Sequence, residues 1–105
     1  MSDDIPWLDI TNVDSALHAP ARIAIMLFLL PRSKAKFAII QDALGVTPGN
    51  LSSHLKKLET SNYVAIEKVF VENKPTTIIN LTPEGYGAIR NYANILNNAI
   101  DNEFG

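Results

Sequence analysis

The stretch LGVTPGNLSSHLKKLETSNYV, residues 44–64, decides the fold. Gly45 suits the left-handed residue that stops a helix, Val46 makes a turn, and Thr47-Pro48 is an N-cap followed by proline at the first helical position. Two helices therefore meet at a tight turn, a short one over 38–44 and a longer one from Thr47 to about Ser61. At roughly 100° per residue, Leu51, Leu55 and Leu58 share a narrow stripe that must face a core. The opposite face carries Gly49, Ser53, Lys56, Lys57 and Thr60, with Asn50 beside them and Ser52 and His54 on the borders. Asn62 ends the helix, because Asn tolerates the left-handed conformation better than most residues.

C-terminal to this stretch, Tyr63 to Val71 is rich in β-branched and aromatic residues and reads as a strand. Glu72-Asn73-Lys74-Pro75 is turn chemistry, and Thr76 to Leu81 is a second strand, so the two form an antiparallel hairpin. Thr82-Pro83-Glu84 repeats the cap-then-proline start and opens a last helix that runs to near residue 103. N-terminal to the stretch, Phe37, Ile40 and Leu44 point inward from the short helix, and Lys34 to Phe37 is a short extended piece. His18-Ala19-Pro20 opens a first long helix that Pro31 ends, apolar nearly all round and so buried on more than one side. Residues 1–17 form an acidic extension whose Trp7 is expected to dock on its own domain or on a partner subunit.

With 105 residues, 47% of them hydrophobic and 19% charged, the chain has material for one core and reads as one domain, 1–105. It has no cysteine, which excludes disulfides, zinc ribbons and thiol catalysis. The longest apolar run, Ile23 to Leu30, is far short of the ~20 residues of a membrane span and lacks the flanks of a signal peptide, so a soluble cytoplasmic protein with no membrane partner is expected. The net charge of −2 is unevenly spread. Residues 32–74 carry seven Lys and Arg against four Asp and Glu, whereas residues 1–31 carry one against four and residues 75–105 one against three. A basic middle between acidic ends suits a one-sided binding surface for an anion, although chance clustering on a solvated surface produces the same sums.

The face opposite the leucines suits the DNA major groove, which admits a helix and presents donors and acceptors on base edges. Asn50 can pair with adenine, Ser53 can bond with most bases, Lys57 can reach guanine or phosphate, and Gly49 allows close approach. The helix N-terminus, at Thr47 and Pro48, offers free N–H groups to a phosphate. An ordinary surface helix would more often carry Glu/Lys pairs four residues apart, and this face has no acid before Glu59. His54 reads as a hydrogen-bonded border residue. As a metal ligand it lacks partners, and as a catalytic base it lacks a nucleophile, a paired carboxylate or a phosphate loop, so no enzyme, metal or cofactor is expected.

These residues match a known pattern. Residues 44–64 resemble the helix-turn-helix of the MarR/ArsR-type winged-helix transcription regulators, KPTTIINLTPEGYGAI (74–89) resembles their wing and last-helix start, and HAPARIAIMLFLL (18–30) their first helix. The resemblance implies a mainly α, α+β winged helix-turn-helix: a three-helix core, a β-hairpin wing and a long C-terminal helix over 82–104. It also implies a homodimeric regulator of operator DNA. By position, the recognition role falls on Thr47, Asn50, Ser53, His54 and Lys57, flanked by Pro48, Gly49, Ser52 and Lys56, and the wing role on Asn73 and Lys74 within 72–76. The chain departs from the pattern at Ala38-Ile39, where Ser or Thr and then an acid are usual, and at Thr76, Asn80 and Tyr86, where basic residues are common. Asn62 replaces the usual helix-ending Gly. A weaker grip of the wing on phosphate follows. The thiol pairs of metal-sensing relatives are absent, so metal sensing is not carried over.

The last helix is long for so small a domain. Ile89, Tyr92, Leu96 and Ala99 recur at the spacing of a helix–helix seam, widened by Ile95 and Ile100. The stripe either covers its own core or, as its far half suggests, forms a dimer interface to which Trp7 contributes. Double-stranded DNA and a second copy are the expected partners, and no residue announces a small-molecule effector. The competing expectation is a winged helix used for protein contact, motivated by the acidic ends, the low wing charge and Ile39. RNA binding ranks lower for want of an aromatic platform.

Overall fold

The computed structural model describes residues 15–104; Trp7 and most of the N-terminal extension lie outside the described residues. A 3₁₀ turn, Ser15–Leu17, precedes helix α1, Pro20–Leu29. Strand β1, Lys34–Lys36, leads into α2, Phe37–Leu44, which a tight turn joins to α3, Pro48–Thr60. Strands β2, Val64–Val71, and β3, Lys74–Leu81, follow, and α4, Pro83–Phe104, closes the chain.

The turn between α2 and α3 forms as its residues require. Gly45 is left-handed, with φ 67°, and its amide donates to the Gln41 carbonyl at 2.9 Å. The Thr47 hydroxyl accepts from the Asn50 amide at 3.2 Å, satisfying one of the donors that a helix start leaves open. Replacing Thr47 with alanine is expected to lower the unfolding free energy by about 1 kcal/mol, while Thr47→Ser retains most of it. Urea denaturation of the two variants checks this; equal losses in both would show that the cap does not set the cost. At the other end of α3, Asn62 takes the left-handed conformation, φ 63°, and Tyr63 N–H returns to the Leu58 carbonyl at 2.9 Å.

The expected short strand forms and finds a partner, and two other elements differ from expectation. β1 pairs antiparallel with β3 over Lys34–Asn80, Ala35–Ile79 and Lys36–Ile78, so the hairpin becomes a three-stranded sheet ordered β1-β3-β2. Helix α2 begins at Phe37, one residue early. The wing turn is only Glu72-Asn73, with φ 52° and 64°, and Lys74 and Pro75 already belong to β3. Two consecutive left-handed residues match the twist of the flanking strands. Pro75 is tolerated in the central strand because it pairs with Phe70 at a non-hydrogen-bonded position, next to the stretch that β1 does not reach.

The core gathers Leu17, Ile25, Met26 and Leu29 with Ile40, the three leucines of α3, Val64, Ile79 and Ile89. The last helix is tied down at its start. Thr82 donates from its hydroxyl to the Asn62 carbonyl (2.6 Å) and from its amide to the Tyr63 carbonyl (3.1 Å), while the Gly85 amide donates to the Thr82 hydroxyl (2.9 Å). The first turn of α4 is thus fastened to the end of α3. Of the α4 stripe expected at a partner, Ile89 is instead fully buried in the chain's own core and Ala99 is 6% exposed, whereas Leu96 and Ile100 are 38% and 47% exposed. Periodicity marks a stripe but not what covers each part of it. Among the described residues, no helix is long and apolar enough to cross a membrane.

Candidate nucleic-acid interface

The outward face of α3 follows from the burial of Leu51, Leu55 and Leu58, each at most 1% exposed. With those three turned inward, Thr47, Pro48, Gly49, Asn50, Ser52, Ser53, Lys56 and Lys57 are all exposed. A methyl group at Gly49 would meet nothing within 4 Å, so packing does not demand glycine there.

His54 is half-buried and turned away from this face. Its Nδ1 lies 3.3 Å from Arg22 Nη1, and a guanidinium can only donate, so Nδ1 is the acceptor. Arg22 also donates from Nε to the Ala16 carbonyl (2.7 Å) and from Nη2 to that of Ser15 (3.4 Å). One arginine on α1 thereby ties the 3₁₀ turn to the middle of α3. Arg22, Lys56 and Lys57 flank a 670 Å³ cleft between that turn and α3, with Ser53 and Thr60 on its wall. In the sequence Arg22 is an isolated cation on an apolar helix and carries no spacing signal that marks it for a role.

A second, 480 Å³ groove lies on the other side of α3, between it and the sheet. Pro48, Ser52, Lys56 and Glu59 line one wall, Ile66, Lys68 and Thr77 the other. Strand side chains alternate, so Ile66, Lys68 and Phe70 of β2 share the face toward α3, as do their β3 partners Ile79, Thr77 and Pro75. Lys74 pairs with Val71 and so falls on the opposite face, and Asn73 occupies the turn. The structure thus separates the two wing residues singled out from sequence, and it supplies Lys68 as the wing cation nearest α3. Strict alternation from Ile66 was the available signal for Lys68.

The arrangement is a short and a longer helix around a left-handed glycine, the second displaying an exposed polar and basic face, followed by a hairpin that forms the far wall of its groove. That defines a winged helix-turn-helix. Residues 21–100 match the family model of the winged helix DNA-binding domain, and the chain belongs to that family. An uncharacterized protein of Methanocaldococcus jannaschii is 35% identical over 75 residues, covering 71% of this chain and 82% of its own. A transcriptional regulator homologue from Pyrococcus horikoshii OT3 superposes with a TM-score of 0.87 at 36% identity, covering 95% of this chain and 98% of that one. A MarR mutant from E. coli, solved with operator DNA, gives a TM-score of 0.68 at 17% identity over 90% of this chain and 67% of its own, a likeness of fold. The MarR-type architecture expected from the sequence is therefore the one observed.

Proposed function

We propose that the protein is a homodimeric transcription regulator that binds double-stranded DNA at specific sites, with α3 in the major groove and the wing against the adjacent backbone or minor groove. The observation that carries this is the outward face of α3. Gly49, Asn50, Ser53, Lys56 and Lys57 are all exposed, and no acid lies among them. Small residues admit the DNA, Asn50 and Ser53 supply base-edge partners, and the lysines neutralise phosphates.

The dimer rests on α4. Its 22 residues span ~33 Å at 1.5 Å each, and Leu96 and Ile100 leave apolar surface exposed in its distal half, with Tyr92 half-buried before them. A two-fold pairing along that half places two recognition helices about one DNA turn apart on a near-palindromic site.

Selection from a random-sequence duplex pool at two salt concentrations tests the reading and reports the symmetry of the site. Asn50→Ala is expected to relax base preference, at a cost of about 1–3 kcal/mol on the selected site. Lys56→Ala and Lys68→Ala are expected to weaken binding on every sequence, each lowering the salt slope by about 1 where it meets a phosphate, whereas Lys74→Ala on the opposite face of the hairpin costs less. Binding indifferent to salt, or no enrichment at either concentration, would sink the proposal.

One observation favours a second reading, a module for protein contact: Ile39 on α2 is 51% exposed. Under that reading Ile39→Ser abolishes a protein complex, and the α3 substitutions leave the complex intact.

A further inference from the structure

Phe70 is 76% exposed, more than any other large apolar residue among those described. It lies one alternation beyond Lys68, about 7 Å further out along β2, on the same face of the hairpin. Its cross-strand partner on that face is Pro75. An aromatic ring and a pyrrolidine ring thus stand together on the wing, where neither contributes to the core.

The geometry points to Phe70 and Pro75 as an apolar wedge that enters the minor groove of duplex DNA beside the segment held by α3. The inference rests on the DNA-binding reading above and specifies what the wing does within it. Three observations select duplex DNA as the occupant. The pair stands one alternation beyond Lys68 and Thr77, which with Ser52 and Lys56 of α3 wall the groove, so a backbone lying in that groove passes beside it. Lys56 and Lys68 outweigh Glu59 among the groove's lining residues, leaving it a net positive charge, and no acid of the hairpin shares the face of Lys68 and Phe70. Glu72 at the turn opposes a tip-first approach to phosphate and Glu67 lies on the opposite face of β2, which together favour the side of the hairpin bearing Phe70 as the surface of contact. Apolar side chains are chemically suited to this role, because they press on sugar edges or between base steps where a cation would remain hydrated. The wing would then read the deformability of its base steps, which pyrimidine–purine steps offer most readily.

The test uses the full chain and the duplex recovered by pool selection with the unaltered protein. Phe70→Ala and Phe70→Leu are compared with the parent for affinity, for base preference outside the α3 contacts, and for competition by a minor-groove-binding drug. Because Phe70 is exposed, both variants should keep the parent's unfolding midpoint. Phe70→Ala is expected to lose about tenfold in affinity or more, in line with the value of burying one aromatic side chain. It should also lose its preference in the flanks and its sensitivity to the drug, with Phe70→Leu intermediate. Parent-like affinity and flanks in Phe70→Ala would overturn the wedge while leaving DNA binding by α3 standing. Loss of self-association with DNA contacts unchanged would overturn it too, by assigning Phe70 to a protein contact. If the parent protein enriches no duplex at all, the DNA-binding reading fails, and that result is distinct from the other two.

Discussion

Leu58→Ala is expected to remove about 3–5 kcal/mol of stability, and Leu55→Ala less, about 2–3 kcal/mol. Both leucines are at most 1% exposed and both belong to the inward stripe of α3. The difference comes from what surrounds the hole. Leu55 borders the groove between α3 and the sheet, where neighbours can relax and water can enter, so less of the lost volume persists as empty space. Leu58 is not on that groove and packs where the end of α3 turns back toward β2, its carbonyl held by the Tyr63 amide. A domain of this size has on the order of 5–15 kcal/mol in total, so the Leu58 variant loses a large fraction of it. Chemical denaturation measures both values. Equal losses would show that the groove gives Leu55 no relief.

Two glycines of α4 are expected to respond to alanine with opposite signs. Alanine normally favours a helix over glycine by up to about 1 kcal/mol, and Gly87 should follow that rule, because a methyl there meets nothing within 4 Å. At Gly85 the added carbon falls on the carbonyl oxygen of Tyr63, a backbone atom that cannot step aside as a side chain would. The same carbonyl accepts the Thr82 amide at 3.1 Å, so displacing it loosens the joint between α3 and α4 as well. Gly85→Ala is expected to lower stability by about 1–3 kcal/mol, while Gly87→Ala raises it slightly. Thermal and urea midpoints of the two single variants decide the matter; stabilisation in both would mean that α4 shifts freely away from Tyr63.

The helix-turn-helix was legible because its determinants are local. Gly45, Thr47-Pro48 and the Leu51-Leu55-Leu58 spacing each act within a few residues, and all three are found as read. The Thr82-Pro83 start of α4 was legible for the same reason. Features that depend on distant partners were not. The short strand at Lys34-Ala35-Lys36 was legible, but its pairing with β3 was not, because nothing in three residues names the edge they join. Glu72 is an uncommon choice for a left-handed turn position, which hid the two-residue turn and placed Lys74 in the loop. With the turn misplaced, the alternation that puts Lys68 and Phe70 toward α3 went unread. The contact between Arg22 and His54 joins residues 32 apart in sequence, a distance at which residue spacing says nothing.

The strand order has a mechanical consequence. β1 covers β3 only from Ile78 to Asn80, and there the hairpin is clamped on both sides. Beyond Ile78 its four outer pairs, Lys68–Thr77 to Val71–Lys74, form a bare two-stranded ribbon that carries the turn at its end. The wing is therefore a cantilever, rooted in the sheet and compliant along its outer half. A ribbon held this way has fewer tertiary restraints along its outer half than α3, whose leucines are buried in the core.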